Sequence, residues 1–373
     1  MDVEKEISDL YEECEYHCRA GKFHEALQIA KIIPKKIKDA LGEDNLEFAK
    51  SLVPLAFIYQ QIGKYLQAEP LYLKILQIRR KSLDKNGLEV AESRNDLGSL
   101  YFNMGRYSEA ESLFLDALNA RINLLGSQNF VVTITLTNLA SLYCDTERYE
   151  IAEDLYKQVM EFYFERFGLH DIASDFLNCN KLAQIILDKL VVYFDPLGGA
   201  ADQEITEFSR SLSNLAELYR LMGEYEKAKK LFPVVADIQM NIVGKSDLSF
   251  ANTLHNYALL GQDLGQYSVA ETNYNEALKI RKSILGEDHP LCAYSMCSLA
   301  ELFIDIGDET RAKSLIDKSF FILETSPSAT NLEYVSCLET IAKFQKRMGH
   351  FSVAKELFEK ALDIKSDLFG ENS

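Results

Sequence analysis

The stretch "LYFNMGRYSEAESLFLDAL" (residues 100–118) decides the fold, because the chain repeats its pattern 42 residues away on either side. Upstream stands "IYQQIGKYLQAEPLYLKIL" (58–76) and downstream "LYCDTERYEIAEDLYKQVM" (142–160). Taking Gly105 as the phase marker, equivalent positions fall at Gly21, Gly63, Gly105, Glu147, Gly223, Gly265, Gly307 and Gly349. The spacing is 42 residues throughout, except for one interval of 76 between Glu147 and Gly223.

Five residues after every marker stands an alanine: Ala26, Ala68, Ala110, Ala152, Ala228, Ala270, Ala312 and Ala354. Seven residues before it stands a small residue: Cys14, Ala56, Gly98, Ala140, Ala216, Ala258, Ala300 and Ala342. An aromatic follows the marker by two in all hairpins but one, where Glu309 takes its place. Apolar residues then recur at helical spacing, as in Leu113, Phe114, Ala117 and Leu118. The pattern predicts a helix-turn-helix hairpin. Helix A ends at the glycine, which takes a left-handed conformation at little cost. Helix B starts at the aromatic, and the small residues let the two helices approach while the aromatics fill the wedge. Connectors such as "LGEDN" (41–45), "LGSQN" (125–129), "IVGKSD" (242–247) and "LGEDHP" (285–290) stop one helix at Gly and start the next at Asp, Asn or Pro. One hairpin cannot bury both faces, so neighbours must stack into a solenoid.

With "NLASLY" (138–143), "NLAELYRLMGEYEKA" (214–228) and "EALKIRKSILGEDHP" (276–290), the chain resembles the tetratricopeptide repeat family, in the 42-residue variety of kinesin light chains. The resemblance implies an all-α, right-handed superhelical solenoid whose A helices line the concave side. It also implies that this side holds extended peptides or partner helices.

The 76-residue interval divides the chain into hairpins over 1–166, a degenerate, truncated unit over 167–203, and four more hairpins over 204–373. "LVVYFDPLGGAADQE" (190–204) carries Asp-Pro and Gly-Gly, strong helix breakers that predict a loop around 195–203. Polar substitutions in residues 1–20 suit a cap. The sequence stops at "LFGENS" (368–373), in a connector, which fits either an excised module or a last helix that caps itself.

The net charge of −17 argues against nucleic-acid backbones and anionic membranes. Seven scattered cysteines read as reduced thiols of a cytoplasmic protein. "CEYHC" (14–18) puts Cys14, His17 and Cys18 on one helical face, but Cys14 fills the small-residue slot and no fourth ligand stands out, so structural roles are favoured. His170 and His289 belong to connectors. No nucleophile elbow, HExxH or phosphate loop is present, and neither an enzyme nor a cofactor or metal is expected.

What remains is surface. Nine residues before the marker lies a slot holding Asn138, Asn214 and Asn256, with Asp96, Ser298 and Thr340 in phase and Glu12 and Pro54 in the first two hairpins. An amide both donates and accepts, so a row of them suits a peptide backbone; alternatively each Asn bonds only to the neighbouring helix. Arg94 and Asn95 flank Asp96, Arg210 and Arg220 bracket Asn214, and Asn252 and His255 stand near Asn256. Lys343, Lys346 and Arg347 cluster on the last A helix, either to clamp a carboxylate of an acidic peptide or as a solvated helix end. The expected function is a non-enzymatic scaffold for a peptide or protein partner. The alternative is the sensor arm of a larger protein with a caspase-like protease or a nucleotide-driven oligomerisation domain. A peptide-sensing regulator ranks lower, since no DNA-binding helix-turn-helix is visible.

Overall fold

The computed structural model describes residues 2–19, 21–169, 185–190, 199–243, 248–325 and 332–369. The described residues form helices and no strands. In chain order these are α1 (Asp2–Arg19), α2 (Phe23–Leu41), α3 (Leu46–Gln61), α4 (Tyr65–Ser82), α5 (Leu88–Asn103), α6 (Tyr107–Leu125), α7 (Phe130–Asp145) and α8 (Tyr149–Arg166). After the interruption follow α9 (Gly199–Leu221), α10 (Tyr225–Ile238), α11 (Leu248–Asp263), α12 (Tyr267–Leu285), α13 (Pro290–Asp305), α14 (Glu309–Thr325), α15 (Leu332–Arg347) and α16 (Phe351–Phe369). A π-helical turn, Gln239–Val243, extends α10, and residues 185–190 are helical. Every B helix begins two residues after its marker, as the spacing predicts.

The markers earn their place through the backbone. All seven marker glycines have positive φ, from 68° to 83°, and Glu147 at 58° is the non-glycine that adopts the same conformation. The repeat geometry therefore overrides the side chain there. Each turn closes with a short amide bond three residues past the helix end, as from Arg106 N to Tyr101 O at 2.8 Å and from Arg148 N to Tyr143 O at 2.7 Å. The connectors behave alike: Asn45 accepts the Phe48 amide and Asn129 the Val131 amide, both at 2.9 Å. His289 Nδ1 accepts the Leu291 amide at 3.1 Å, which starts α13.

Both small-residue slots are sealed: the alanines after the marker and the small residues before it are buried in every hairpin. The aromatics expected to fill the wedge do so unevenly. Phe23 and Tyr107 are buried, but Tyr267 is 41% and Phe351 68% exposed, because the first residue of helix B lies at the rim of the hairpin. The wedge is filled instead from nine residues after the marker, by Tyr72, Phe114, Tyr156, Phe232 and Tyr274, all buried. Their hydroxyls stay satisfied within the hairpin: Tyr72 donates to Gln60 Oε1 at 2.9 Å and Tyr274 to Gln262 Oε1 at 3.2 Å.

The chain forms two compact units. Unit 1 comprises Met1–Gly126, Lys282–Tyr294 and Lys318–Ser373. Within it α1 to α6 stack as three hairpins and α15 pairs with α16. The turns of the first two hairpins lie against the late connector: the α-carbon face of Gly21 meets Ile284, and that of Gly63 meets His289 and Pro290. Unit 2 comprises Ser127–Arg281 and Ser295–Asp317. Here Phe208 of α9 packs on Tyr163 and Phe167 at the end of α8, with ring centroids 5.2 and 5.4 Å apart.

The junction across the 76-residue interval is direct. Thr137 of α7 and Ser211 of α9 share a hydrogen bond at 2.9 Å. Ser213 of α9 and Thr253 of α11 share one at 2.8 Å, and these pairs occupy the same two repeat positions. So α9 stacks on α7 in the register of any adjacent pair of A helices. The expected degenerate unit at 167–203 falls largely on 170–184 and 191–198, outside the described residues. From Gly199 on, the expected loop is helical, since "GAADQE" past the Gly-Gly pair favours a helix.

Candidate functional site

The A helices of unit 2 carry a row of polar side chains that starts on α7. Asn138 of α7 is half-buried, and Arg210 of α9 points its Nη1 at Asn138 Oδ1 from 3.5 Å. Arg210 is simultaneously paired with Glu207 one turn back, through Nε at 2.9 Å. Burial alone lowers the proton affinity of Arg210, but the charge and hydrogen bond of Glu207 outweigh it, and the guanidinium is held more firmly charged than usual.

Asn214 sits one turn further along α9. It is half-buried and donates from Nδ2 to Ser141 Oγ of α7 at 3.1 Å, and the Tyr156 hydroxyl meets the same Ser141 Oγ at 3.0 Å. Its amide is thus partly used in stacking neighbouring repeats. Arg220 ends the helix in a triad with two carboxylates. It donates to Glu217 at 2.8 and 3.0 Å, and to Asp263 of α11 at 2.7 Å. Burial nevertheless pushes the Glu217 carboxyl up, against the pull of Arg220. The next hairpin repeats the tie, with Gln262 donating to Asp305 at 2.7 Å.

On α11 the three expected residues separate. Asn256 is half-buried, and its side chain makes no hydrogen bond to a described residue. Asn252 is exposed, and its Oδ1 accepts from Arg281 Nη2 at 2.8 Å. His255 was expected to line the groove, but it is 1% exposed, edge-on to Tyr274 at 5.2 Å between centroids and 3.5 Å from Arg281 Nη1. Burial, then the charges of Arg281 and Arg220, hold it well below the usual histidine range, so it is a neutral core residue. The helical period explains the displacement: His255 is one residue from Asn256, about 100° around the helix. Arg281, buried and also donating to Ser295 Oγ at 2.5 Å, is a member of this cluster that the sequence did not single out.

The remaining expected residues lie in unit 1. Asn95 is buried at 6% exposure and belongs to the interior of the third hairpin rather than to a partner surface. Arg94 is half-buried and stands 3.7 Å from Asp116 of α6. Asp96, in the slot itself, is half-buried; burial and the neighbouring Glu92 push its carboxyl up to about 7, against the attraction of Arg121 and Arg79. Lys343, Lys346 and Arg347 are exposed near the end of α15. At "CEYHC" Cys14 is buried and directs its Sγ at Ala26 O from 3.8 Å, the role of the small-residue slot. Among the described residues no three His, Cys, Asp or Glu side chains converge on a metal position. No described helix is long and apolar enough to cross a membrane. His170 lies outside the described residues.

Sequence profiles of the tetratricopeptide repeat match residues 47–123, 95–165 and 249–320, a second profile matches 209–246, and a third 335–368. Together they cover more than half of the chain. This chain belongs to the tetratricopeptide repeat family. A search of curated proteins finds no significant relative. Among solved structures, the repeats resemble a Rap protein complexed with competence and sporulation factor, at 12% identity and a TM-score of 0.58 over 98% of this chain and 99% of that one. They also resemble the Rap conjugation gene regulator of plasmid pLS20 in complex with the Phr* peptide, at 15% identity and 0.59, over 85% of this chain and 73% of that one. BtubC from P. vanneervenii matches at 18% identity and 0.45, over 72% and 91%. The two Rap structures share an all-α repeat fold with this chain.

Proposed function

We propose that the protein is a non-enzymatic scaffold that holds an extended peptide segment of a partner along the polar row of unit 2. The observation that carries this reading is Asn256. It shares the repeat position of Asn138 and Asn214, is half-buried, and has no described intramolecular partner. A carboxamide placed so supplies one donor and one acceptor to a peptide group. Two proteins similar in fold, a Rap protein complexed with competence and sporulation factor and a Rap regulator in complex with the Phr* peptide, support the same class of partner.

The row favours recognition of main chain over a charged side chain. Arg210 and Arg220 are matched by Glu207, Glu217 and Asp263, so little positive charge is left to select an acidic partner. The basic cluster of α15, Lys343, Lys346 and Arg347, belongs to unit 1 and is not part of this row.

The test is an affinity pull-down with quantitative mass spectrometry on the whole chain, comparing wild type with Asn256→Ala. At least one protein enriched by the wild type should drop about tenfold with the variant, while the melting temperature stays unchanged. Identical enrichment by both proteins would remove the row from partner binding.

A further inference from the structure

Of the asparagines in the chain, Asn86 alone is followed by glycine. The pair stands in the connector between α4 and α5, where Asp84, Lys85, Asn86 and Gly87 form a tight turn. The Gly87 amide donates to Asp84 O at 2.8 Å, and the Asn86 amide donates to Asp84 Oδ1 at 3.0 Å. The turn favours glycine at its last position, since a β-carbon on Gly87 would stand 3.0 Å from Asp84 O.

Two features open this pair to chemistry of its own. The Asn86 side chain is exposed and hydrogen-bonded to no described residue, so its carboxamide is free to rotate toward the main chain. Glycine leaves the following amide nitrogen unshielded, because no β-carbon stands beside it. Attack by that nitrogen on the carboxamide carbon closes a five-membered ring, a case in which proximity takes the place of a catalyst. The position matters to its neighbours as well. Gly87 O accepts the Ala91 amide at 3.0 Å and so starts α5. Arg79 of α4 donates to Glu89 O at 2.9 Å and to Ser93 Oγ at 3.0 Å, which ties the start of α5 to the second hairpin.

We propose that Asn86–Gly87 is a self-modification site. The Gly87 nitrogen gives up its proton to water or hydroxide and attacks Asn86 Cγ. The new N–C bond closes a succinimide, the Cγ–Nδ2 bond breaks, and the amine leaves with a proton as ammonia. Water then opens the ring at either carbonyl, giving aspartate at position 86 or its isomer with the main chain routed through the β-carbon. The two products act oppositely on α5. Aspartate adds a negative charge just before the positive end of the helix dipole and firms the first turn. The isomer adds a methylene to the backbone inside the connector, disrupts the two bonds to Asp84 and frays the turn that Arg79 holds. The modification is separate from the polar row of unit 2 and does not rest on the reading of that row.

Peptide mapping by mass spectrometry tests it on the whole chain aged in mildly alkaline buffer, beside a free peptide of residues 80–92. The segment with Asn86 should gain one mass unit at least about tenfold faster than those with the exposed Asn119 and Asn123, which are followed by Ala120 and Leu124. Part of the product should accept methyl groups from an isoaspartyl methyltransferase. Asn86→Gln, whose longer side chain would have to close a six-membered ring, should lose both signals on this segment. Amide hydrogen exchange in the first turn of α5 should quicken in the aged chain in proportion to the isomer formed, and should not quicken in Asn86→Asp. No conversion in the folded chain while the free peptide converts would show that the bond to Asp84 seals the nitrogen, and would overturn the proposal. So would equal rates at Asn119 and Asn123, methyl acceptance by this segment in Asn86→Gln, or unchanged exchange of α5 in the converted chain.

Discussion

Phe114 lies so close to Gly98 that a β-carbon on the glycine would stand 2.8 Å from Cε1 of its ring and 2.9 Å from Cδ1. Gly98 occupies the slot that alanine fills in most other hairpins, and here the ring has moved into the space of the missing methyl. Gly98→Ala gains helix propensity, roughly 0.5–1 kcal/mol, but the overpacked ring costs about 1–3 kcal/mol. The net expectation is a loss of about 1–2 kcal/mol, read as a lower urea midpoint. Adding Phe114→Leu to Gly98→Ala should recover part of that loss.

Glu147 holds φ at 58° where every other hairpin turn has glycine. A β-carbon in the left-handed region costs about 1–2 kcal/mol, and glycine gives back up to about 1 kcal/mol in the unfolded chain. Glu147→Gly should therefore stabilise the chain by up to about 1 kcal/mol, measured by the same urea titration. No gain in midpoint would show that this turn carries no strain.

Asn214 and Asn256 share a repeat position but not a role. Asn214→Ala deletes the 3.1 Å bond to Ser141 Oγ and should cost about 1 kcal/mol of stability. Asn256→Ala removes no described bond and should leave the melting curve in place. Equal effects of the two substitutions on the melting temperature would contradict this division.

Asp96 supplies a pH signature. Burial and Glu92 raise its carboxyl to about 7, above the value of an unfolded aspartate near 4. Between those values the folded chain holds a proton that the unfolded chain has released. Its contribution to stability is therefore full at low pH, falls as pH rises from about 4 to 7, and stays lost above. Asp96→Asn should raise the urea midpoint more at pH 8 than at pH 5. A difference that is flat between the two pH values would mean that the carboxyl is not raised.

Most of the hairpin design was legible because it depends on backbone geometry. A left-handed turn demands Gly, and close helix approach demands Ala or smaller, so both recur in phase and both hold in the structure. Two readings went astray for one physical reason: phase locates a residue along the chain but does not fix its depth. The aromatics two residues after the marker sit at a rim, whereas those nine residues after it, at Tyr72, Phe114, Tyr156, Phe232 and Tyr274, fill the wedge, and that period was also present in the sequence. His255 and Asn95 were placed with a partner surface by their neighbours in the chain, yet the rotation per residue turns both inward. The interval of 76 residues shows that the repeat breaks, but it does not show that the A helices on either side meet directly, as the Thr137–Ser211 and Asn214–Ser141 hydrogen bonds do.

The contacts of Gly21 with Ile284, and of Gly63 with His289 and Pro290, make unit 1 discontinuous along the polypeptide. A ribosome must deliver the chain as far as Pro290 before the first two hairpins can find these neighbours. Assembly of this unit is therefore governed by late, non-local closure, and a nascent N-terminal half leaves the nursery with apolar turns still waiting for cover.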